Sequence, residues 1–314
     1  MAHAGGVRVA RVLGVDVLVR PSLVLMGAAL AVLLVPRLEA AGVDEPVLVG
    51  VLLVVSIYLS VLVHELAHVV AARFYAMEVE SVTLHLLGGE TLVVGESRTP
   101  GQELVTAGSG PVISALLGAG CLLLTDGQDA GTVSQLLWAL GWINLLVAAT
   151  NLLPALPLDG GRVLRAIVWA ATGREALGVV VAAWIGRLAA VACLVVGVVL
   201  VVRGDRTAWL DLAVLGLVAV FLWQGSGQAL RFADRSARID GLEASRLADR
   251  GVAGDDPDTL DLPRLSSDLR GTALLRAMTR VPSDRYAVVD DDGMVRGVLY
   301  ARTVDRAFRT GGRR

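Results

Sequence analysis

Residues 47–74 read VLVGVLLVVSIYLSVLVHELAHVVAARF, and this stretch decides how the rest of the chain must fold. It is long enough to cross a bilayer, because a spanning helix needs about 20 mostly apolar residues. The ionisable side chains of His64, Glu65 and His68 nevertheless lie within it. An ionisable group at membrane depth is costly and marks a candidate functional site. The sequence therefore predicts a membrane helix that carries a chemical site.

The two histidines are four residues apart, so on a helix both imidazoles lie on one face and can bind one metal ion. Zinc accepts nitrogen ligands readily, and its catalytic sites keep one position open for water. Glu65 lies between the histidines and can accept a proton from that water. An accidental match on a soluble helix is the alternative, and the apolar surroundings argue against it. We therefore predict a zinc site with His64 and His68 as ligands and Glu65 as the catalytic residue.

A catalytic zinc site of this kind needs a third protein ligand. Asp159 is the best candidate, within the stretch NLLPALPLDGGR at residues 151–162. The two prolines are expected to end the fourth span, and Gly160-Gly161 permits a tight turn after it. If the second and fourth spans run in the same direction, Asp159 reaches the depth of the histidines. A plain turn at a helix end is the alternative interpretation of this stretch.

The other apolar segments indicate a polytopic α-helical membrane protein. The chain has 314 residues, of which 18% are charged, whereas soluble chains carry about 25% charged residues. Strand-like patterns at Val9–Val19 and Val79–Val94 predict a small membrane-associated sheet, and Gly88-Gly89 divides the second pattern into a hairpin. We predict about six spans, near Pro21–Pro36, Val47–Phe74, Leu104–Leu124, Val133–Leu153, Leu177–Val202 and Ala208–Leu230.

Charge is distributed unevenly along the chain and becomes dense only beyond Leu230. We therefore place a membrane domain at residues 1–235 and a water-soluble domain at residues 236–314. The net charge of −2 does not indicate nucleic acid as a partner. Cys121 and Cys193 both lie in apolar runs, so neither a disulfide framework nor a cysteine metal site is expected.

The arginines indicate an orientation, since short cytoplasmic loops carry an excess of positive charge. If six spans alternate, most of the loop arginines fall on one side, which predicts that both termini are cytoplasmic. Arg203 and Arg206 lie in a loop on the opposite side and argue mildly against this topology.

The two motifs, HELAH at residues 64–68 and NLLPALPLDG at residues 151–160, together resemble the signature of the site-2 protease family. These proteins are intramembrane zinc metalloproteases, and the resemblance covers residues 5–230. It implies a multi-pass enzyme of the bacterial cell membrane that performs regulated intramembrane proteolysis. It also implies a membrane-bound substrate with a single span, such as an anti-sigma factor.

The same resemblance assigns roles to individual residues. It implies that His64, His68 and Asp159 hold one zinc ion and that Glu65 is the catalytic acid and base. It also implies that Asn151 binds the substrate or the developing oxyanion, a task that suits an amide donor in a dry site. Helix capping or a polar contact between helices explains an asparagine at this position equally well.

Residues 86–91, LLGGET, resemble the hairpin that this family places at the cytoplasmic side of the membrane. The resemblance implies that Gly88 and Gly89 lie where an extended substrate pairs, since a helical substrate must unwind before its peptide bond is reachable. His85 is better explained as an interfacial strand residue than as a spare ligand. Arg187 lies within an apolar span, where it either snorkels or pairs with an acid.

The tail resembles a single cystathionine-β-synthase (CBS) domain. The resemblance rests on YAVVDDDG at residues 286–293 and the apolar strand at residues 295–300, and it covers about Leu242 to Phe308. CBS domains usually act in pairs and often bind adenine nucleotides, which implies an adenine nucleotide and a homodimer as partners of this single copy. A generic α/β cap is the alternative, because a short strand–turn–strand pattern specifies little.

Two other functions compete with proteolysis. A transporter explains the apolar spans and an acid within the membrane, but not the HELAH motif with its aspartate partner. A catalytically silent homologue that acts as a membrane scaffold is expected to lack Glu65 or one of the ligands. All four residues are present in this chain.

Overall fold

The computed structural model describes residues 6–40, 42–85, 88–95, 97–125, 131–204, 208–252 and 261–310. Residues 86 and 87 of the hairpin motif therefore lie outside the described residues. Within these ranges the helices are α1 Pro21–Ala40, α2 Pro46–Phe74, α3 Pro100–Leu123, α4 Thr132–Asn151, α5 Asp159–Thr172, α6 Glu175–Val202, α7 Ala208–Asp240, α8 Ala244–Leu247, α9 Gly271–Arg280 and α10 Ala301–Thr310. The strands are β1 Val7–Val12, β2 Val15–Val19, β3 Glu78–His85, β4 Gly88–Val94, β5 Arg264–Ser266, β6 Arg285–Val289 and β7 Val295–Tyr300.

The chain forms two compact units, Met1–Gly227 and Gln228–Arg314. The boundary between them falls inside α7, as does the boundary at residues 235 and 236 that the composition predicts.

Six helices in the described residues, α1 to α4, α6 and α7, are long and apolar enough to cross a membrane. This confirms the predicted number of spans. Large apolar side chains such as Leu52, Leu146 and Val195 are exposed along these helices, as expected where a helix faces lipid rather than water. The first helix continues to Ala40 instead of ending at Pro36, since a proline inside a helix removes one backbone donor without necessarily stopping it.

The prediction of a tight turn at Gly160-Gly161 is wrong, because both glycines lie in the first turn of α5. They are needed there for close packing rather than for a turn. A Cβ at Gly161 would lie 2.5 Å from the carbonyl carbon of Ala155, and a Cβ at Gly160 would collide with the backbone of Leu152. Asp159 is thus the first residue of a helix that folds back tightly onto the segment before it.

A four-stranded sheet with the order β1-β2-β3-β4 accompanies the membrane helices. The single strand predicted at Val9–Val19 is wrong: it is an antiparallel hairpin that turns at Leu13-Gly14, where φ is 49° and 69°. Strand β2 pairs parallel with β3, and β3 pairs antiparallel with β4, which confirms the predicted hairpin. Gly88 and Gly89, however, lie within β4 and do not divide the two strands. Val15 and Val82 of the sheet pack on Val69 of α2, so the sheet lies against the helix that carries the HELAH motif.

The tail unit contains a three-stranded sheet with the order β5-β6-β7. Strand β5 is parallel to β6, and β6 is antiparallel to β7. Leu274, Tyr286 and Leu299 form its core together with residues of α8 and α10. The two predicted strands of the tail are confirmed, and helix α10 follows them from Ala301. The likeness of this unit to a CBS domain stays a prediction.

Replacement of Gly118 by alanine is expected to destabilise the helix bundle. Gly118 of α3 lies against α4, and a Cβ there would lie 2.8 Å from the carbonyl oxygen of Gly141 and 2.8 Å from Cγ of Leu145. Such overpacking typically costs about 1–3 kcal/mol. Thermal unfolding in detergent should therefore show a lower midpoint for Gly118→Ala. Gly120→Ala is the matched control, because a Cβ at Gly120 meets nothing within 4 Å; equal midpoints for the two variants would contradict this packing.

Candidate active site

The two histidines of α2 and the first residue of α5 converge on one point. His64 and His68 are both buried, and their ring centroids are 5.0 Å apart. The distance to Oδ2 of Asp159 is 3.1 Å from Nε2 of His64 and 3.3 Å from Nε2 of His68. The structure thus brings together the three predicted ligands, although at least 91 residues separate Asp159 of α5 from the two histidines of α2.

The other ring nitrogens of both histidines are held by α3. Nδ1 of His68 lies 2.7 Å from the carbonyl oxygen of Thr106, to which it can only donate. Nε2 of His68 then carries the lone pair that a metal ligand needs. Nδ1 of His64 lies 2.9 Å from the hydroxyl of Ser114, which fixes the orientation of the ring. This arrangement is typical of metal-binding histidines, whose second nitrogen is usually hydrogen-bonded.

A glycine of α3 leaves room at the point where the ligands meet. A Cβ at Gly110 would lie 2.6 Å from Nε2 of His64 and 2.6 Å from Cε1 of His68. The ligand atoms of His64, Glu65 and His68 lie within 4.8 Å of one another, close enough to hold one metal ion. Two imidazoles and one carboxylate are also a donor set that catalytic zinc sites use. The residues at this site therefore fit a zinc ion.

Asp159 is well suited to bind a cation because it is ionised and nearly buried. Burial raises the pKa of its carboxyl group, but the imidazoles of His64 and His68 beside it outweigh burial and hold the pKa below its usual value. Its position at the N-terminus of α5 also favours the negative charge, since the helix dipole is positive there.

Glu65 lies beside the ligands and against strand β4. The hydroxyl of Thr91 donates a hydrogen bond to Oε2 of Glu65 over 2.7 Å. The backbone of Gly89 approaches the same carboxylate so closely that a Cβ there would lie 2.7 Å from Cδ. A buried carboxylate next to a metal site is placed to exchange protons with a reacting water.

Comparison with known proteins agrees with this geometry. Residues 119–196 match the model of Peptidase family M50, a segment that contains Asn151 and Asp159. The chain is similar to a solved site-2 protease from Methanocaldococcus jannaschii, with a TM-score of 0.51 and 26% sequence identity. That likeness covers 72% of this chain and 95% of the archaeal one. By these two comparisons the chain is similar to peptidases of family M50 and to a site-2 protease.

Two curated relatives of the chain are described as inferred zinc metalloproteases. One, from Synechocystis sp., is 30% identical over 257 residues, which is 81% of this chain and 64% of the relative. The other, Rip3 of Mycobacterium tuberculosis, is 39% identical over 166 residues, which is 52% of this chain and 42% of the relative. The chain thus spans less than two thirds of the length of either relative. The comparisons support the expected resemblance to zinc metalloproteases of the site-2 type.

The structure shows the contacts of Asn151, His85 and Arg187, which the sequence analysis also considered. Asn151 is the last residue of α4, and its amide nitrogen donates to the carbonyl of Val147 in its own helix. His85 ends β3 opposite Gly88, so its predicted strand position is confirmed. The guanidinium of Arg187 lies 5.0 Å from the ring centroids of both Trp184 and Trp223, a cation–π contact that the sequence did not indicate.

Sequence reasoning missed four residues that shape the site, namely Thr91, Thr106, Gly110 and Ser114. A signal for three of them is present, because Thr106, Gly110 and Ser114 recur every four residues and therefore share one face of α3. The partners of the histidines are a hydroxyl and a backbone carbonyl, which any helix offers, so composition alone does not reveal them.

Replacement of Gly110 by alanine is expected to reduce zinc binding sharply, because the new methyl group would occupy the space between the two imidazoles. Zinc content of the purified variant, measured by inductively coupled plasma mass spectrometry, tests this. Gly108→Ala in the same helix is the control, since a Cβ there meets nothing within 4 Å. Full zinc content in Gly110→Ala would show that the ion binds elsewhere.

Proposed function

We propose that the protein is a zinc-dependent intramembrane endopeptidase that cleaves a transmembrane segment of a membrane-bound regulatory protein. The observation that carries the proposal is the convergence of His64, His68 and Asp159 beside Glu65, inside a bundle of membrane helices. The family comparison supports the same chemistry. A transporter gives no reason for a carboxylate such as Glu65 next to a complete zinc donor set. A silent scaffold gives no reason to keep all four residues.

The chemistry follows from the roles of these side chains. His64, His68 and Asp159 would hold the zinc ion, which when bound polarises a carbonyl and lowers the pKa of water. Glu65 accepts a proton from the water that attacks the carbonyl carbon of the substrate. It then delivers that proton to the leaving amide nitrogen. Thr91 keeps the carboxylate of Glu65 in place by its hydrogen bond to Oε2.

Strand β4 supports the proposal that an extended substrate pairs near Gly88 and Gly89. It is the last strand of its sheet, so one of its edges has no partner strand in the described residues. The same strand contacts Glu65 through Gly89 and Thr91. A substrate added to this edge would have its backbone extended beside the catalytic carboxylate. Asn151 remains a proposed contact for the substrate or the oxyanion, once its amide leaves the carbonyl of Val147.

We propose a protein with a single span, such as an anti-sigma factor, as the substrate. The orientation with both termini in the cytoplasm is likewise a proposal, which rests on the distribution of arginines in the loops.

Glu65→Gln is expected to abolish cleavage while zinc stays bound, because the amide cannot accept the proton but the three ligands are intact. Cleavage of a fluorescent reporter that contains the span of an anti-sigma factor, reconstituted in proteoliposomes, measures the activity. Glu90→Gln is a matched control, since Glu90 is an exposed acid on the neighbouring strand. Loss of zinc in Glu65→Gln would identify Glu65 as a ligand, and retained cleavage would overturn its role.

For the tail unit we propose a regulatory role with an adenine nucleotide and a second copy of the chain as partners. The order of its elements, β5-α9-β6-β7-α10, is compatible with the CBS-like interpretation. The unit also contains a cavity of about 610 Å³ between α9 and α10, whose lining includes Leu275, Met278, Tyr286, Val304 and Phe308. Its lining has no basic side chain, which favours an adenosine group over a bare triphosphate as the occupant.

AMP is expected to raise the thermal unfolding midpoint of the full chain, since a ligand at 100 times its dissociation constant stabilises by about 2.7 kcal/mol. GMP at the same concentration is the control and should leave the midpoint unchanged. Light scattering in detergent should report the mass of a dimer. Equal unfolding midpoints with AMP and GMP would contradict the proposal of an adenine nucleotide. A light-scattering mass equal to that of a monomer would contradict the proposal of a dimer.

A further inference from the structure

Glu103 is a buried acid that the proposed chemistry does not use. It lies in the first turn of α3 and is 1% exposed. One carboxylate oxygen accepts a hydrogen bond from the hydroxyl of Ser97 over 2.6 Å. The other accepts one from Nε of Arg162 over 2.9 Å and also forms an ion pair with Arg165. A buried carboxylate is tolerated only where it is paired in this way.

Both arginines belong to α5, the helix that begins with Asp159. Arg162 is one turn after Asp159, and its Nη1 lies 4.0 Å from Oδ1 of that aspartate. This is the oxygen that does not face the histidines. A chain of charged contacts therefore runs from Glu103 through Arg162 to Asp159. Because Arg162 is held at both ends, the carboxylate of Asp159 has one oxygen directed to the arginine and one to the imidazoles.

The same face of α3 also contacts the two predicted histidine ligands, His64 and His68. Glu103, Thr106, Gly110 and Ser114 follow one another at helical spacing and are all buried. Thr106 and Ser114 orient the two histidines, and Gly110 leaves space between them. Glu103 is the member of this row that contacts α5. One face of α3 thus connects the two histidines of α2 to the aspartate of α5.

We propose that Glu103 is a positioning residue of the metal site, which sets the place and orientation of Asp159 through Arg162. The inference rests on the proposed function of that site as a zinc centre. Groups that orient metal ligands in this way typically change metal affinity by about 10–100-fold when they are removed. Substitution of Glu103 should therefore weaken zinc binding although Glu103 does not touch the ion.

Zinc affinity of the full-length protein in detergent, measured by competition with a chromophoric chelator, tests the proposal. Glu103→Gln keeps the size of the side chain but removes its charge, and it should lower the affinity by about 10–100-fold. The visible spectrum of the Co²⁺-substituted protein should change as well, because the spectrum reports ligand geometry rather than stability. Arg162→Gln removes the next link and should give the same two effects. The double variant should be no worse than either single variant, since both changes break one chain of contacts.

Glu175→Gln is the matched control, because Glu175 pairs with Arg165, which stands outside the path from Glu103 through Arg162 to Asp159. It should keep the affinity and the cobalt spectrum of the unchanged protein. Wild-type affinity and an unchanged spectrum in Arg162→Gln or Glu103→Gln would overturn the proposal, whatever the change in thermal stability. Additive losses in the double variant would overturn it as well. A wild-type protein that binds no zinc would overturn the proposed function itself, and this outcome is visible before any variant is made.

Discussion

The structure depends on one requirement, that two imidazoles and a carboxylate be packed together where water is excluded. A polar group buried without a partner costs more free energy than a single hydrogen bond returns. The hydrogen bonds from α3 to His64 and His68 meet this requirement, as does the arginine that faces Asp159. Helix α3 therefore has to lie between α2 and α5, and the rest of the membrane unit is arranged around it.

That packing also requires the backbones of α5, α6 and α7 to approach closely the segment that precedes Asp159. Gly160 and Gly161 allow α5 to fold back onto the residues that precede it. Ser226 of α7 donates a hydrogen bond to the carbonyl of Leu156 over 2.8 Å, and Gly186 of α6 leaves room for this pair. The segment that delivers Asp159 is thus held between α6 and α7. Small residues at these contacts let the helices approach, as is usual in membrane bundles.

How much of this site can be predicted from sequence depends on how far apart along the chain the interacting residues lie. The spacing of His64 and His68 is local, so helical periodicity alone places both imidazoles on one face. Asp159 is found through a motif far along the chain, and its pairing with the histidines requires the tertiary fold. The turn at Leu13 is missed because a leucine with positive φ leaves no signal in the sequence. The partners offered by α3 are missed because hydroxyl and carbonyl groups occur in every helix.

The arrangement links metal binding to the stability of the bundle. The histidines belong to α2 and the aspartate to α5, and in the unfolded chain these residues do not form a preformed site. The free energy of metal binding is then also free energy of folding. Any change that moves α5 relative to α2 must weaken the site, even where no ligand is altered. Conversely, an ion held by both helices stabilises their packing through α3, at the depth where Glu65 and the edge of β4 meet. The same contacts therefore hold the helices together and place the carboxylate of Glu65, the proposed catalytic group, beside the proposed metal ligands.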